Sequence, residues 1–395
     1  MAKYELLAPA GDLEKLKVAI LYGADAVFIG GEKISLRSRA SNFTLKDIKE
    51  ACDFAHSHNA TVHVTCNIVM HNIDTIGIEE YLKSLEECGV DAIIASSPYI
   101  LKYVIENTKM EAHVSTQQST LNSEAVKMFE DMGVHRVVLA RELSLEEIKT
   151  VKSKVNTEIE VFIHGGMCVS YSGRCMLSNN MTNRDANRGG CAHSCRWCYN
   201  IYDEEGLKNP DGDYFAMSSK DLCAIKAIPS LMDMGINSFK IEGRMKSLHY
   251  IATVVNAYRK IIDEYKEYGC IKDYKKYEDS ISKAENRLTS TGFLFGDPTI
   301  NEQLYDLNLT CPTKEFIGIV DSYDEEEKML YVEQRNYFKP FSNIEVFTPT
   351  KTFIIPIEEI YDLDGNSLDA ARHPKQKVKF KCDVKLNPYD LLRLI

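Results

Sequence analysis

The regular return of short apolar runs between amphipathic segments constrains this chain most. "YELLAPA" from Tyr4, "DAVFIGG" from Asp25, "TVHVTCN" from Thr61, "DAIIASS" from Asp91, "EAHVSTQ" from Glu111, "RVVLA" from Arg136, "EIEVFIHG" from Glu158 and "SFKIEG" from Ser238 are eight candidate strands. Between most of them, segments such as "DLEKLKVAILYGA" and "TLKDIKEACDFAHSHN" space apolar residues three and four apart, the period of a helix with one buried face. Several of these segments open on an N-cap residue (Asp12, Thr44, Asn122) and close on Gly or Asn (Gly23, Asn59, Gly89, Gly133). Alternating strands and helices form parallel βαβ units. Eight units of about 30 residues each predict an α/β fold, a closed (β/α)8 TIM-like barrel, and no strand leads into the G-x-G-x-x-G of a doubly wound sheet.

A barrel carries its chemistry where the strands end, which directs attention to Asn67, Ser96, Ser115 to Gln118, Arg141, His164 and Glu242. The one long interruption, residues 165–237, falls between the seventh and eighth strands, and connections of that length in a compact barrel are functional insertions. After "TGFLFGDP" the pattern changes to alternating β segments, "FIGIVDSY", "MLYVEQR", "NIEVF", "TFIIPI", "KVKFKC" and "LLRLI". The expected organisation is a barrel domain over 1–311, with the cluster-bearing insertion at 165–237, followed by a small all-β barrel domain over 312–395.

The start "MAKYELLAPAGDLEK" reads as neither a signal peptide nor a membrane span, and no later apolar run approaches the roughly 20 residues a span needs. A cytoplasmic protein that does not enter membranes is expected. Thiols stay reduced there, so the twelve cysteines are not a disulfide framework. Five of them crowd between Cys168 and Cys198. The net charge of -11 excludes a generally basic nucleic-acid coat, yet Cys168 to Asn200 holds four arginines (Arg174, Arg184, Arg188, Arg196) against Asp185 alone. The positive charge gathers where the cysteines are.

The spacing is Cys168-x6-Cys175-x15-Cys191-x3-Cys195, with Cys198 close behind. It lacks the two short knuckles of structural zinc, and wide, irregular spacing beside Gly165, Gly166, Gly173, Gly189 and Gly190 suits an iron–sulfur cluster held across a loop. Zinc and unmetallated thiols are the competing readings. A third lies in "CAHSCRWC", whose C-x3-C-x-aromatic-C resembles the triad of radical S-adenosylmethionine enzymes, but those enzymes carry it after the first barrel strand.

The segment "EVFIHGGMCVSYSGRCMLS" resembles the signature of the collagenase-like peptidase family U32, with Glu160, Phe162, Gly165, Cys168, Gly173, Cys175 and Ser178 at its places. The likeness extends to "LLAPAGDLEKLKVAILYGADAVFIGG", "LRSRASNFT", "HVSTQ", "NRDANRGGCAHSCRWCYN", "SSKDLCAI", "KIEGRMKS" and "TGFLFG". Within that family the chain is most similar to the bacterial tRNA 5-hydroxyuridine hydroxylation proteins. The resemblance implies an enzyme that hydroxylates wobble uridine of tRNA without molecular oxygen, using a prephenate-derived donor. It also implies a 4Fe-4S cluster on Cys168, Cys175, Cys191 and Cys195. Cys198 is extra to that pattern.

The family name implies a peptidase instead, but no G-x-S-x-G elbow or H-E-x-x-H helix is present, and Ser170, Ser172 and His164 have no evident third partner. An iron–sulfur scaffold or partner subunit of another hydroxylation system is the remaining alternative, and a homo-oligomer or a paralogous partner subunit is compatible with all three. For hydroxylation, tRNA and a small dicarboxylate donor both call for guanidinium groups. The candidates are Arg37, Arg39, Arg141, Arg184, Arg188, Arg196 and Arg244. Asn67, Gln117, Trp197 and Tyr199 are placed to read or stack a flipped base, and His164 and Glu242 are the candidate proton carriers.

Overall fold

The structure, a computed structural model, describes residues 4–36, 42–209, 214–284, 287–304 and 316–395. It divides into two compact units, the second comprising Ser280–Asn286 and Cys311–Ile395. Arg37 and Arg39 lie outside the described residues.

The first unit is the expected closed barrel. Its strands are β1 (Glu5–Pro9), β2 (Ala26–Gly30), β3 (Thr61–Cys66), β4 (Ala92–Ala95), β5 (Glu111–Val114), β6 (Arg136–Val138), β7 (Glu158–Gly165) and β8 (Ser238–Ile241). Each pairs in parallel with the next, and β8 closes the ring by pairing with β1 at Glu5↔Ser238. Strands walled on both faces read as unbroken apolar runs rather than alternating ones, and β2 and β4 are buried at every position. The outer helices begin where their caps predict. In α1 (Leu45–Ser57) Thr44 and Asp47 form a reciprocal capping box, and in α2 (Leu145–Lys152) Ser144 and Glu147 do the same. Among the described residues no helix is long and apolar enough to cross a membrane.

The barrel's lower interior is ionic rather than apolar. Arg136 at the start of β6 reaches Glu158 (2.8 Å) and Glu160 (3.3 Å) and also pairs with Glu5, while Lys240 on β8 donates to Glu160 at 2.7 Å. Burial pushes the Glu5 carboxyl up, but the charges of His63 and Arg136, with hydrogen bonds from Arg136 and Ser238, bring it down to about 2. Glu160, first residue of the signature, is therefore the buried counter-charge to two cations.

Between β7 and β8 the insertion runs through a tight turn at Tyr171–Gly173, the short helix α3 (Leu177–Thr182) and a two-stranded hairpin at Tyr202–Asp203 and Gly206–Leu207. It returns as Asp221–Cys223, antiparallel to the end of β7 with Cys223 opposite His164.

The second unit is an eight-stranded antiparallel sheet curled into a half-barrel. All six expected segments are strands, joined by short strands at Ile360–Tyr361 and Ser367–Leu368. Its core gathers Ile317, Leu330, Val332, Ile344, Val346, Val378, Phe380 and Leu392. Pro356, which cannot donate to a ladder, stands on the edge strand Thr352–Ile357.

Candidate functional site at the barrel mouth

The C-terminal ends of β3, β5, β6, β7 and β8 bring Asn67, Gln117, Arg141, His164, Glu242 and Arg244 to one end of the barrel. Arg244 is buried, donating from Nη1 to Ser35 Oγ (3.0 Å) and from Nη2 to Asn42 Oδ1 (2.7 Å). A side chain at Gly30 would place its Cβ 2.1 Å from Arg244 Nη1, so the glycine ending β2 makes room for this guanidinium. Arg141 stands over the Phe162 ring, its guanidinium carbon 3.6 Å from the centroid, with Nη2 3.8 Å from Glu242 Oε2. Two guanidiniums thus share the mouth, and guanidinium forks suit an anionic ligand.

Glu242 is held from below. Its N–H donates to the His164 carbonyl (2.8 Å), and its own carbonyl accepts from Tyr250 Oη (3.2 Å). Gly165 has φ +107°, and a Cβ there would stand 2.3 Å from the Glu242 carbonyl oxygen, so only glycine lets β7 leave the barrel this close to β8. His164 is buried beside Tyr258, with Nδ1 3.3 Å from its hydroxyl, and that hydroxyl donates to the Ile163 carbonyl at 2.9 Å. Burial drives the imidazole down to about 3, against the opposing pull of Asp221, so it is neutral near pH 7. Asn67 Oδ1 accepts the Leu36 N–H (3.3 Å). Gln117 Oε1, Arg141 Nε and Arg184 Nε are buried without a hydrogen-bond partner, the kind of group that a ligand commonly satisfies.

The cysteine-bearing insertion is stapled onto these same loops. Arg174 donates to the Gln117 carbonyl (3.1 Å) and the Gln118 carbonyl (3.1 Å) after β5. Ser172 donates to Glu142 after β6. Asn187 accepts the Val69 N–H through its backbone carbonyl, and Arg188 pairs with Asp74, both after β3. Asn187 also grips Cys175 from both sides, accepting its N–H (3.3 Å) and donating to its carbonyl (3.0 Å). On the far side Arg287 clamps Asp221 (2.6 Å), Ser218 Oγ (2.6 Å) and the Ser219 carbonyl (2.7 Å). Reading the sequence did not single out Glu142, Asn187, Asp221 or Arg287.

Cys168, Cys191 and Cys198 are exposed, and Cys175 and Cys195 are half-buried. Burial pushes the Cys195 thiol up, Arg196 opposes it, and the neighbouring Cys168, Cys191 and Cys175 add to the rise. Among the described residues no group of three or more His, Cys, Asp or Glu side chains is arranged to hold a metal ion. The donors are four thiols with a guanidinium alongside. In kind, thiols are the donors that hold iron–sulfur groups.

Residues 11–304 match the model of "Peptidase family U32", and residues 312–393 match "Peptidase family U32 C-terminal domain". The chain is similar to "tRNA hydroxylation protein P1" of Bacillus subtilis, at 50% identity over 99% of this chain and 94% of that protein. It is similar to "23S rRNA 5-hydroxycytidine C2501 synthase" of Escherichia coli, at 39% identity over 66% of this chain and 39% of that protein. It is also similar to "Collagenase" of Porphyromonas gingivalis, at 34% identity over 66% of each.

Proposed function

The chain belongs to peptidase family U32, and from that premise we propose that it is an RNA-modifying hydroxylase. Its substrate in this reading is tRNA, in which it converts wobble uridine to 5-hydroxyuridine without molecular oxygen. Its relatives include proteins named for tRNA hydroxylation and for 5-hydroxycytidine synthesis in ribosomal RNA. The observation that carries the reading is the stapling of a four-thiol, arginine-bearing loop across a barrel mouth that already holds two guanidiniums.

Each part of the mouth then has a task. Arg141 and Arg244 hold the carboxylates of a prephenate-derived donor, since guanidinium forks match carboxylates in pairs. Gln117, with a buried acceptor oxygen, and Asn67 read the edge of a flipped uridine. Glu242 takes the proton that leaves C5 of the base and passes it to the donor carbon, which keeps the electron pair of its broken C–O bond, so the donor is reduced as the base is oxidised; His164, held neutral, fixes the backbone from which Glu242 projects. Arg184 and Arg196 engage phosphates of the RNA. Cys168, Cys175, Cys191 and Cys195 would hold a 4Fe-4S cluster, which when bound supplies one-electron transfer.

Peptide hydrolysis needs an activated nucleophile, and Ser172, in the turn before the signature's Gly173, is otherwise engaged: its Oγ donates to Glu142, while His164 lies against Tyr258. The test is deletion of the gene, followed by mass spectrometry of tRNA nucleosides and complementation with the wild-type chain or Cys175→Ala. The expected result is loss of 5-hydroxyuridine derivatives, restored by the wild type alone. Unchanged nucleosides in the deletion strain would overturn the proposal.

A further inference from the structure

Ser172, in the turn between Cys168 and Cys175, has φ 39° and ψ 38°, the left-handed region that residues with a Cβ seldom occupy. It is also buried, at 1% exposure. A strained residue persists where its surroundings over-determine it. Here the surroundings are one carboxylate. Glu142 Oε1 accepts the Ser172 N–H at 2.8 Å and Oε2 accepts its hydroxyl at 2.7 Å, while the hydroxyl oxygen accepts the Arg141 N–H at 3.3 Å.

The next residue but one, Arg174, is tied to the Gln117 and Gln118 carbonyls, and Cys175 follows it. Glu142 itself stands on the barrel loop after β6, directly after Arg141 and two residues before Ser144, the cap of α2. The chain between two of the four thiols is therefore bent into a costly shape by a side chain from the barrel rather than by its own sequence. A glycine at 172 would take this conformation without cost. The serine makes the bend conditional on Glu142.

We propose that Glu142 is a positioning residue for the thiol site: its two-pronged hold on Ser172 fixes where Cys168 and Cys175 stand, and couples them to Arg141 at the barrel mouth. This builds on the reading of the four cysteines as one metal-binding set, but the hold on the turn exists with or without metal.

The test uses the full chain in three forms beside the wild type: Glu142→Ala, Ser172→Gly, and the two together. In metal-free protein, alkylation of Cys175 by iodoacetamide is followed by mass spectrometry. Glu142→Ala should raise its rate at least fivefold, and adding Ser172→Gly should bring it back to within twofold of wild type, because glycine holds the turn unaided. Anaerobic reconstitution with iron and sulfide is the second readout. Glu142→Ala should lose more than half of the iron that the wild type takes up, and the double variant should regain it.

An unchanged alkylation rate in Glu142→Ala would overturn the proposal. So would a raised rate that Ser172→Gly fails to lower, since a general loss of fold is not repaired by one glycine. A wild-type chain that takes up no iron counts against the cluster reading alone, and the alkylation result still decides the role of Glu142.

Discussion

Replacing Glu160 with glutamine separates a structural signature residue from a catalytic one. Glu160 is fully buried, accepts from Lys240 Nζ at 2.7 Å and stands 3.3 Å from Arg136 Nη1. Arg136 keeps Glu5 and Glu158 as counter-charges, so the unbalanced cation in Glu160→Gln is Lys240, itself buried. Breaking a buried pair costs about 3–5 kcal/mol, and glutamine, which keeps an acceptor for Lys240, puts the expected loss near 3 kcal/mol. That is a large share of the roughly 5–15 kcal/mol by which a domain is stable. Urea unfolding followed by far-ultraviolet circular dichroism should show the loss. Adding Lys240→Met should return at least half of it, because the uncompensated charge is then gone. A Glu160→Gln chain within about 0.5 kcal/mol of wild type, yet unable to restore tRNA modification in the deletion strain, would refute the reasoning and make Glu160 part of the chemistry.

Gly165→Ala should cost about 2–4 kcal/mol, from the left-handed backbone and the 2.3 Å approach to the Glu242 carbonyl; an unfolding midpoint equal to wild type would contradict this. His164 is held at about 3, below its ordinary value, so its contribution to stability is complete above about pH 6.5 and is lost as the pH falls toward 3. The loss should reach about 2 kcal/mol by pH 5 and shrink in His164→Gln; an equally steep decline in that variant would place the source elsewhere. Cys198→Ser should take up as much iron as wild type on anaerobic reconstitution, whereas Cys175→Ala should not. Equal losses in both would add Cys198 to the ligands.

The barrel was legible because its evidence is local: each βα unit carries its own apolar run, several carry a cap and a closing Gly or Asn, and the runs place all eight strands. Residues at strand ends, Asn67, Gln117, Arg141, His164 and Glu242, follow from the fold alone. What holds the site together did not, because its partners are far apart in sequence. Glu142 meets Ser172 30 residues on, Arg188 meets Asp74 across 114, and Arg287 meets Asp221 across 66. A charged side chain on a loop looks the same in sequence whether it is solvated or clamps a turn. The protonation state of His164 was equally hidden, since its burial depends on Tyr258 and Tyr250 from the helix Leu248–Tyr268. Glu160 shows the opposite limit: a conspicuous signature residue that serves the barrel's interior ionic network.

The most direct measurement is made on purified protein, reconstituted with iron and sulfide under strict exclusion of oxygen and incubated with tRNA from the deletion strain and prephenate. Mass spectrometry of the nucleosides should show wobble uridine heavier by one oxygen atom, with no gain when prephenate is withheld or when Cys175→Ala replaces the wild type. Wild-type protein that holds its cluster and binds the tRNA, yet leaves the uridine unchanged, would contradict the central claim.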